Sequence, residues 1–347
     1  SLVGSEMCIR DSCNTPAKVY ALCEDSDRLK RILSDDLYSK WATISADSTY
    51  FIDIGISCCG NIQLPDRPSR TKQETDEHYA KREQKWEENF NEAYLEWDEL
   101  KMEREEALQS FVNAYHGEIM EMSDGTSEVC DLPDSFSARL KISGKCLLDL
   151  VMNFPYIFEV SESEEINIGV PVSNCTDLAE NVNIVPPSES APIVCVIDSG
   201  IQEQHKYLSA AIISEESVSL IPDNPSPSDQ VGGGGHGTRV AGAVLYPDTI
   251  PTSGNYQLPC WIRNFRILDE HNGMPQEVYP PKAISKAVEV YYKDNPMPTR
   301  IYNHSIGSRK PCAMKHMTPW AAEIDSQSYN NDVLYIHCLL YTSPSPR

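Results

Sequence analysis

Two groups that exchange protons near neutral pH, a carboxylate and an imidazole, stand out by their settings. The run Ile193-Val194-Cys195-Val196-Ile197 is continuously apolar and stops at Asp198-Ser199-Gly200, which places a carboxylate at the carboxyl end of a buried strand. Ligand crevices in open α/β sheets lie at that end. An Asp before Gly is also ordinary turn or cap chemistry, and by itself the triplet does not separate the two. The second setting is Gly232-Gly233-Gly234-Gly235 leading into His236-Gly237-Thr238-Arg239-Val240-Ala241-Gly242-Ala243-Val244. This predicts a helix with the histidine in its first turn, and small residues at 237, 241 and 242 that let the helix approach a sheet closely. A phosphate-cradling loop is the rival reading, but it lacks the Lys-Ser/Thr pair that such loops use.

The elements around these residues fall into two groups. Residues Tyr50 to Ser57 alternate as a strand, and the turn Pro65-Asp66-Arg67-Pro68-Ser69 follows. From Thr71 to Ala114 there is no Gly or Pro, and Tyr79, Trp86, Phe90, Ala93, Trp97, Leu100, Ala107 and Phe111 recur at spacings of roughly three and four. One long amphipathic helix is expected over 71–114, its Glu/Lys/Arg residues forming a solvated face, with partner docking as the alternative use of that helix. Strands are expected over Gly117–Met122 and Phe136–Ser143, a turn at Asp124-Gly125, a helix from Lys145 burying Cys146, Leu147, Leu150 and Val151, and a strand over Tyr156–Val160. That order, βαββαβ, is the ferredoxin-like arrangement. It sets a domain over 50–164, preceded by a segment over 13–49. Residues 161–190 are acidic and then rich in Ser, Asn and Pro, so a linker is expected over 165–190. Beyond it, over 191–337, buried strands alternate with helices, which predicts a parallel α/β sheet.

Composition narrows the partners. The 347 residues are 40% apolar, enough for two packed domains, and the formal charge of −23 argues against a nucleic-acid surface. The sequence has no run of about 18 apolar residues, so no membrane partner is expected. Twelve cysteines are scattered, several inside apolar runs, and read as buried thiols as readily as disulfides. Cys58-Cys59 is too tight to chelate one metal, and no zinc or other metal site is expected. Unpaired cysteines lean the chain slightly towards a reducing, cytoplasmic compartment.

Asp198-Ser199-Gly200 and His236-Gly237-Thr238-Arg239-Val240-Ala241-Gly242 resemble the Asp and His signatures of the subtilases, the subtilisin-like serine proteases of peptidase family S8, in that family's order. Three further stretches agree with the resemblance, which covers roughly 190–337. Phe265 to Gly273 resembles the next core strand and turn, Ala283 to Val288 the helix after it, and Ile301-Tyr302-Asn303-His304-Ser305-Ile306-Gly307-Ser308 the strand whose Ser-x-Gly end lines the substrate cleft. The resemblance implies a serine endopeptidase without cofactor acting on peptides or proteins. In it His236 is general base and acid, Asp198 holds the imidazole's tautomer and stabilises its charged form, and Ser305, Ile306 and Gly307 offer a backbone edge to an extended substrate. Ser199, Gly200, Gly237, Thr238, Gly242 and Asn303 complete the matched motifs. The ferredoxin-like unit is similar to a subtilase pro-domain with an unusually long first helix.

The departures carry expectations too. Trp320 to Ser328 and Asp332 to Ile336 resemble the next helix and strand, after which the family places its oxyanion-hole asparagine. Neither that asparagine nor a Gly-Thr-Ser nucleophile motif follows, and Ser343 and Ser345 do not stand in for it. Residues 1–12 and 338–347 resemble translated sequencing-library adapters, so the chain is expected to be an incomplete, inactive fragment, with a catalytically dead, peptide-binding or partner-docking homologue as the alternative. His205 falls at a family turn and is expected to be structural, and His304 to be a packing or surface residue. His78, His116, His271 and His316 have no partner spacing that suggests a metal. Subtilases commonly bind calcium, but no Asp-rich loop here supports a site.

Overall fold

The computed structural model describes residues 25–58, 65–72, 74–120, 129–132, 135–163, 166, 182–232, 235–293, 295–307 and 317–337. Two short helices, α1 (Asp25–Ile32) and α2 (Asp35–Lys40), lead into strand β1 (Thr49–Ser57). Ser34 caps α2, its hydroxyl accepting from Leu37 N, and this turns Leu33 and Leu37 inward. Both join the hydrophobic core of the front unit, so residues expected to precede that unit are part of its packing.

The long helix α3 runs Asp76–Ala114, starting five residues later than the pattern predicted. Thr75 takes the extended N-cap conformation, and Asp76 and Glu77 put negative charge on the first turn, where the helix dipole favours it. At 39 residues it is roughly 58 Å long. Its buried residues are Trp97, Arg104, Leu108 and Val112, rather than the full predicted stripe; Ala107 is exposed and Phe111 only partly buried. The stripe fails because only the C-terminal half of α3 lies on a sheet, which covers a single line of that half.

Strands β2 (Glu118–Ile119), β3 (Val129–Leu132) and β4 (Ser135–Ser143), helix α4 (Gly144–Asn153) and strand β5 (Ile157–Glu162) complete the unit. The sheet order is β2-β4-β1-β5 with β3 also on β4, every pairing antiparallel, which is the ferredoxin-like order. Of the expected 117–122 strand, β2 keeps only Glu118 and Ile119. Glu121, Met122 and the expected turn Asp124-Gly125 lie outside the described residues. Strand β3 escaped the sequence reading because four residues carry too little periodicity. Side chains alternate along β4: Phe136, Ala138, Leu140 and Ile142 face the helices, while Ser135, Ser137 and Arg139 are buried on the opposite face.

That polar face is buried against the rest of the chain. Arg139 forks onto Asp53 (Nε to Oδ1 2.7 Å, Nη2 to Oδ2 2.9 Å), donates from Nη1 to the carbonyls of Gln276 and Val278, and lies 5.1 Å from the centre of the Tyr279 ring. Ser163 Oγ donates to Gln276 Oε1 at 2.7 Å.

The expected linker contains strand β6 (Val182–Val185), which pairs in parallel with β9 (Gly254–Gln257). Between them come β7 (Ile193–Asp198), β8 (Val218–Ser219) and helix α5 (His236–Leu245); after them β10 (Trp261–Arg266), α6 (Pro280–Tyr291), β11 (Ile301–Asn303), α7 (Pro319–Asn331) and β12 (Leu334–Ile336). The second sheet, ordered β12-β11-β7-β10-β8, is parallel throughout. Both of its faces are covered, which is why β7 reads as an unbroken apolar run. Cys195 and Ile197 pack in the cluster of Phe265, Ala283, Ile284 and Val288; Val194 and Val196 pack on the other side with Val240, Ala241 and Leu245 of α5. The chain leaves β7 on the β10 side and later returns to its other edge as β11. The strand order therefore reverses next to β7, the point at whose carboxyl ends open α/β sheets place their ligands.

Candidate active site

Asp198 closes β7 at that rim and is fully buried. Its Oδ1 accepts the Ser199 N–H at 2.8 Å, and its Oδ2 is 2.8 Å from His236 Nδ1. His236 opens α5, 38 positions along the chain, and is 4% exposed. With Nδ1 donating to the carboxylate, the neutral ring presents Nε2 as its acceptor. That Nε2 is buried and has no hydrogen-bond partner among the described residues.

Glycines let helix and strand meet this closely. A Cβ on Gly237 would lie 2.3 Å from the Gly200 carbonyl oxygen and 3.0 Å from Asp198 Cβ. Gly200 itself has φ +91°, and a Cβ there would come within 2.4 Å of the Pro227 carbonyl oxygen. Ser199 Oγ accepts the Gly237 N–H at 3.0 Å, tying the turn after β7 to the first turn of α5. Ala241 is fully buried, as expected, but Gly242 has nothing within 4 Å of a built Cβ. The expectation that Gly242 serves a close approach is therefore wrong: it lies on the side of α5 away from the strand.

A second carboxylate, absent from the sequence reading, anchors the same helix start. Asp229 is 1% exposed; its Oδ2 accepts the Thr238 hydroxyl at 2.6 Å and its Oδ1 the Val231 N–H at 3.1 Å. Thr238 Oγ1 in turn accepts Gln202 N–H at 3.1 Å. No spacing rule points to Asp229, since its partner Thr238 lies across the glycine run.

Electrostatics follow from burial and pairing. Complete burial pushes the Asp198 carboxyl above its ordinary value, while the His236 and Ser199 hydrogen bonds pull against it. Burial alone would lower His236, but the Asp198 hydrogen bond and charge outweigh it and hold the imidazole above its usual value. The result is a buried imidazole with one nitrogen fixed by a carboxylate and the other bare, an arrangement suited to taking and returning a proton.

The predicted cleft residues stand beside it. Asn303 ends β11, which pairs with β7 in register Asn303 to Val196, so Ser305 and Asp198 each lie two residues past a paired position at the same rim. Ser305 Oγ donates to Asn303 Oδ1 at 2.8 Å; Ser305 and Ile306 are buried and Gly307 is exposed. His304 is a packing residue, not a surface one: it is 1% exposed, meets Trp320 edge to face, and its Nδ1 is 3.3 Å from His337 Nδ1. Burial and the neighbouring His337 push it down to about 3, so it stays neutral. His205 shapes its own turn, its N–H donating to Gln202 O and its ring against Tyr207. His78 pairs with Glu74, His271 is 3.9 Å from Glu270, His116 has a left-handed backbone, and His316 lies outside the described residues.

Cys58, Cys130, Cys146, Cys195 and Cys260 are free and buried. Among the described residues there is no cluster of three or more His, Cys, Asp or Glu side chains able to hold a metal ion, and no helix is long and apolar enough to cross a membrane.

The model of the subtilase family, peptidase S8, matches residues 189–339. Among solved structures, the epidermin leader peptide processing serine protease of Staphylococcus aureus aligns at 14% identity and a TM-score of 0.37, over 66% of this chain and 56% of that one. The chain thus spans little more than half the length of that protease. A search of curated proteins returned no match.

Proposed function

Since residues 189–339 form a subtilase-family segment, we propose that this chain carries the acid–base half of a serine endopeptidase site, with His236 as the proton carrier and Asp198 as its orienting partner. The observation behind this reading is the 2.8 Å contact between His236 Nδ1 and Asp198 Oδ2 at the carboxyl rim of a parallel sheet. In the proposed reaction His236 Nε2 takes the proton of a serine hydroxyl as that oxygen attacks the peptide carbonyl, then gives it to the leaving amine. Asp198 keeps Nδ1 protonated and offsets the imidazolium charge. Residues 305–307 offer backbone to an extended peptide, which gives affinity with little dependence on side chains.

The one Gly-Thr-Ser among the 347 residues, Gly125-Thr126-Ser127, precedes both Asp198 and His236 and so falls outside the family's Asp, His, Ser order; the nucleophile is therefore assigned to sequence outside these residues, and this chain alone is expected to be inactive. The front unit is proposed to act as a pro-domain, seated through Arg139 and Ser163 on the loop before α6.

The test is to read the parent open reading frame and label its product with a fluorophosphonate, which reacts with an activated serine. The parent should label and cleave casein, lose both on His236→Ala, and contain Gly-Thr-Ser downstream of residue 337. A parent with that serine replaced, or labelling that survives His236→Ala, rejects the proposal.

A further inference from the structure

Helix α3 carries a row of aromatic rings, Trp86, Phe90, Tyr94 and Trp97, of which only the last joins the front unit's core. Centroid separations are 5.1 Å from Trp86 to Phe90, 6.1 Å from Phe90 to Tyr94 and 5.7 Å from Tyr94 to Trp97. The chain itself occupies the start of this row with the segment Pro65-Asp66-Arg67-Pro68-Ser69-Arg70, which has no regular secondary structure. Trp86 Nε1 donates to the Pro65 carbonyl at 2.7 Å. The Arg67 guanidinium lies 5.6 Å from the Trp86 ring centre and pairs with Glu83 at 2.5 Å; Arg70 lies 5.9 Å from the Tyr79 ring centre and pairs with Asp76. Arginine over an aromatic ring, with a carboxylate one helical turn away, is thus the recognition chemistry this helix face already performs.

Beyond Trp86 the same chemistry continues in a groove of about 930 Å³. Phe90, Tyr94 and Trp97 form one wall, and Met317, Asp325 and Tyr329, at and beside α7, face them. Tyr94 is 45% exposed and Tyr329 88%, large values for aromatic rings. Charge selects the occupant. The charged side chains lining the groove are two carboxylates, Asp131 and Asp325, with no Lys or Arg among the lining residues, and the α3 stretch from Trp86 to Leu100 that borders it carries six further acidic residues and no Lys or Arg. A second copy of a chain of formal charge −23 is repelled from such a surface, whereas a cationic segment is drawn to it.

We propose that the groove between α3 and α7 docks an extended segment of a partner protein containing arginine and proline, continuing the row that residues 65–70 begin. Proline holds such a segment extended before it binds, so little entropy is lost, and its arginines lie over Tyr94 and Tyr329 within reach of Asp325. The proposal is independent of proteolysis and needs no active serine.

The experiment is fluorescence anisotropy of the full chain with a fluorescein-labelled peptide of Arg-Pro-Ser repeats, and the same peptide with Glu in place of Arg. The arginine peptide should bind, weaken as salt is raised from about 0.05 to 0.5 M, and the glutamate peptide should not bind. Tyr94→Ala, Tyr329→Ala and the charge reversal Asp325→Lys should each weaken binding about threefold to tenfold, while Met102→Ala, exposed on α3 outside the groove, leaves it unchanged. All four positions are at the surface, and the helical circular dichroism of each variant confirms folding. Failure of the arginine peptide to bind, equal binding by the Tyr94→Ala/Tyr329→Ala double variant, or self-association of the chain abolished by Tyr94→Ala would each overturn the proposal.

Discussion

Replacing Asp198 by Asn tests the electrostatics of the site without needing a nucleophile. Asn keeps the shape of the side chain and removes its charge, while His236 remains 4% exposed. In the native chain two opposed effects act on the imidazole: burial, which lowers its pKa, and the carboxylate 2.8 Å from Nδ1, which raises it and prevails. A hydrogen bond to a charged group contributes about 1.5–3 kcal/mol, and each pKa unit corresponds to about 1.36 kcal/mol. Losing the charge should therefore remove about 1.5–3 kcal/mol of preference for the imidazolium and bring the His236 pKa from above its ordinary 6.5 to below it, because burial then prevails. The assay is a pH titration of ¹⁵N-histidine-labelled protein by long-range ¹H–¹⁵N correlation NMR, with His236→Gln identifying the resonance among the eight histidines. The same spectra read the tautomer: the wild type should show a protonated Nδ1 throughout, and Asp198→Asn a loss of that preference. A wild-type value at or below 6.5, or one unmoved by Asp198→Asn, would refute the account of a paired, buried imidazole.

Other expectations follow from the packing. Gly237→Ala, whose new Cβ would sit 2.3 Å from the Gly200 carbonyl oxygen, should cost several kcal/mol in urea unfolding or displace α5, whereas Gly242→Ala, in open space inside the same helix, should stabilise by about 0.5–1 kcal/mol. Arg139→Ala strips Asp53 of its fork and two carbonyls of their donor, and should cost about 3–5 kcal/mol; Arg139→Lys should recover only part, since an ammonium cannot make the bidentate contact. Burial raises the carboxyl of Glu323, which accepts from Gln327 Nε2 and Cys130 Sγ, above its ordinary 4.5. A raised folded value stabilises the fold fully below pH 4.5 and loses that contribution as pH rises through it. The melting temperature of wild type should therefore fall relative to Glu323→Gln as pH climbs from about 4 to 8, and parallel curves would show that the buried carboxyl does not titrate in that range.

The amino-acid sequence by itself determined the local pieces. An unbroken apolar run ending in Asp198, a glycine run before His236 and a stretch of 44 residues without Gly or Pro from Thr71 to Ala114 each specify a strand, a helix start and a long helix, because burial on two faces, backbone freedom and propensity act over a few residues. Those pieces, in order, also carried the family likeness and the ferredoxin-like arrangement. Only the tertiary structure decided what meets what. It brought Asp198 within 2.8 Å of an imidazole 38 positions away and set Asp229 against Thr238 across the glycine run. It moved the contact line of α3 onto Leu108 and Val112, and put β6 in the stretch that composition marked as linker. Such choices depend on which distant faces exclude water from one another, and hydrophobic burial, being non-directional, leaves no short-range pattern in the chain to announce them.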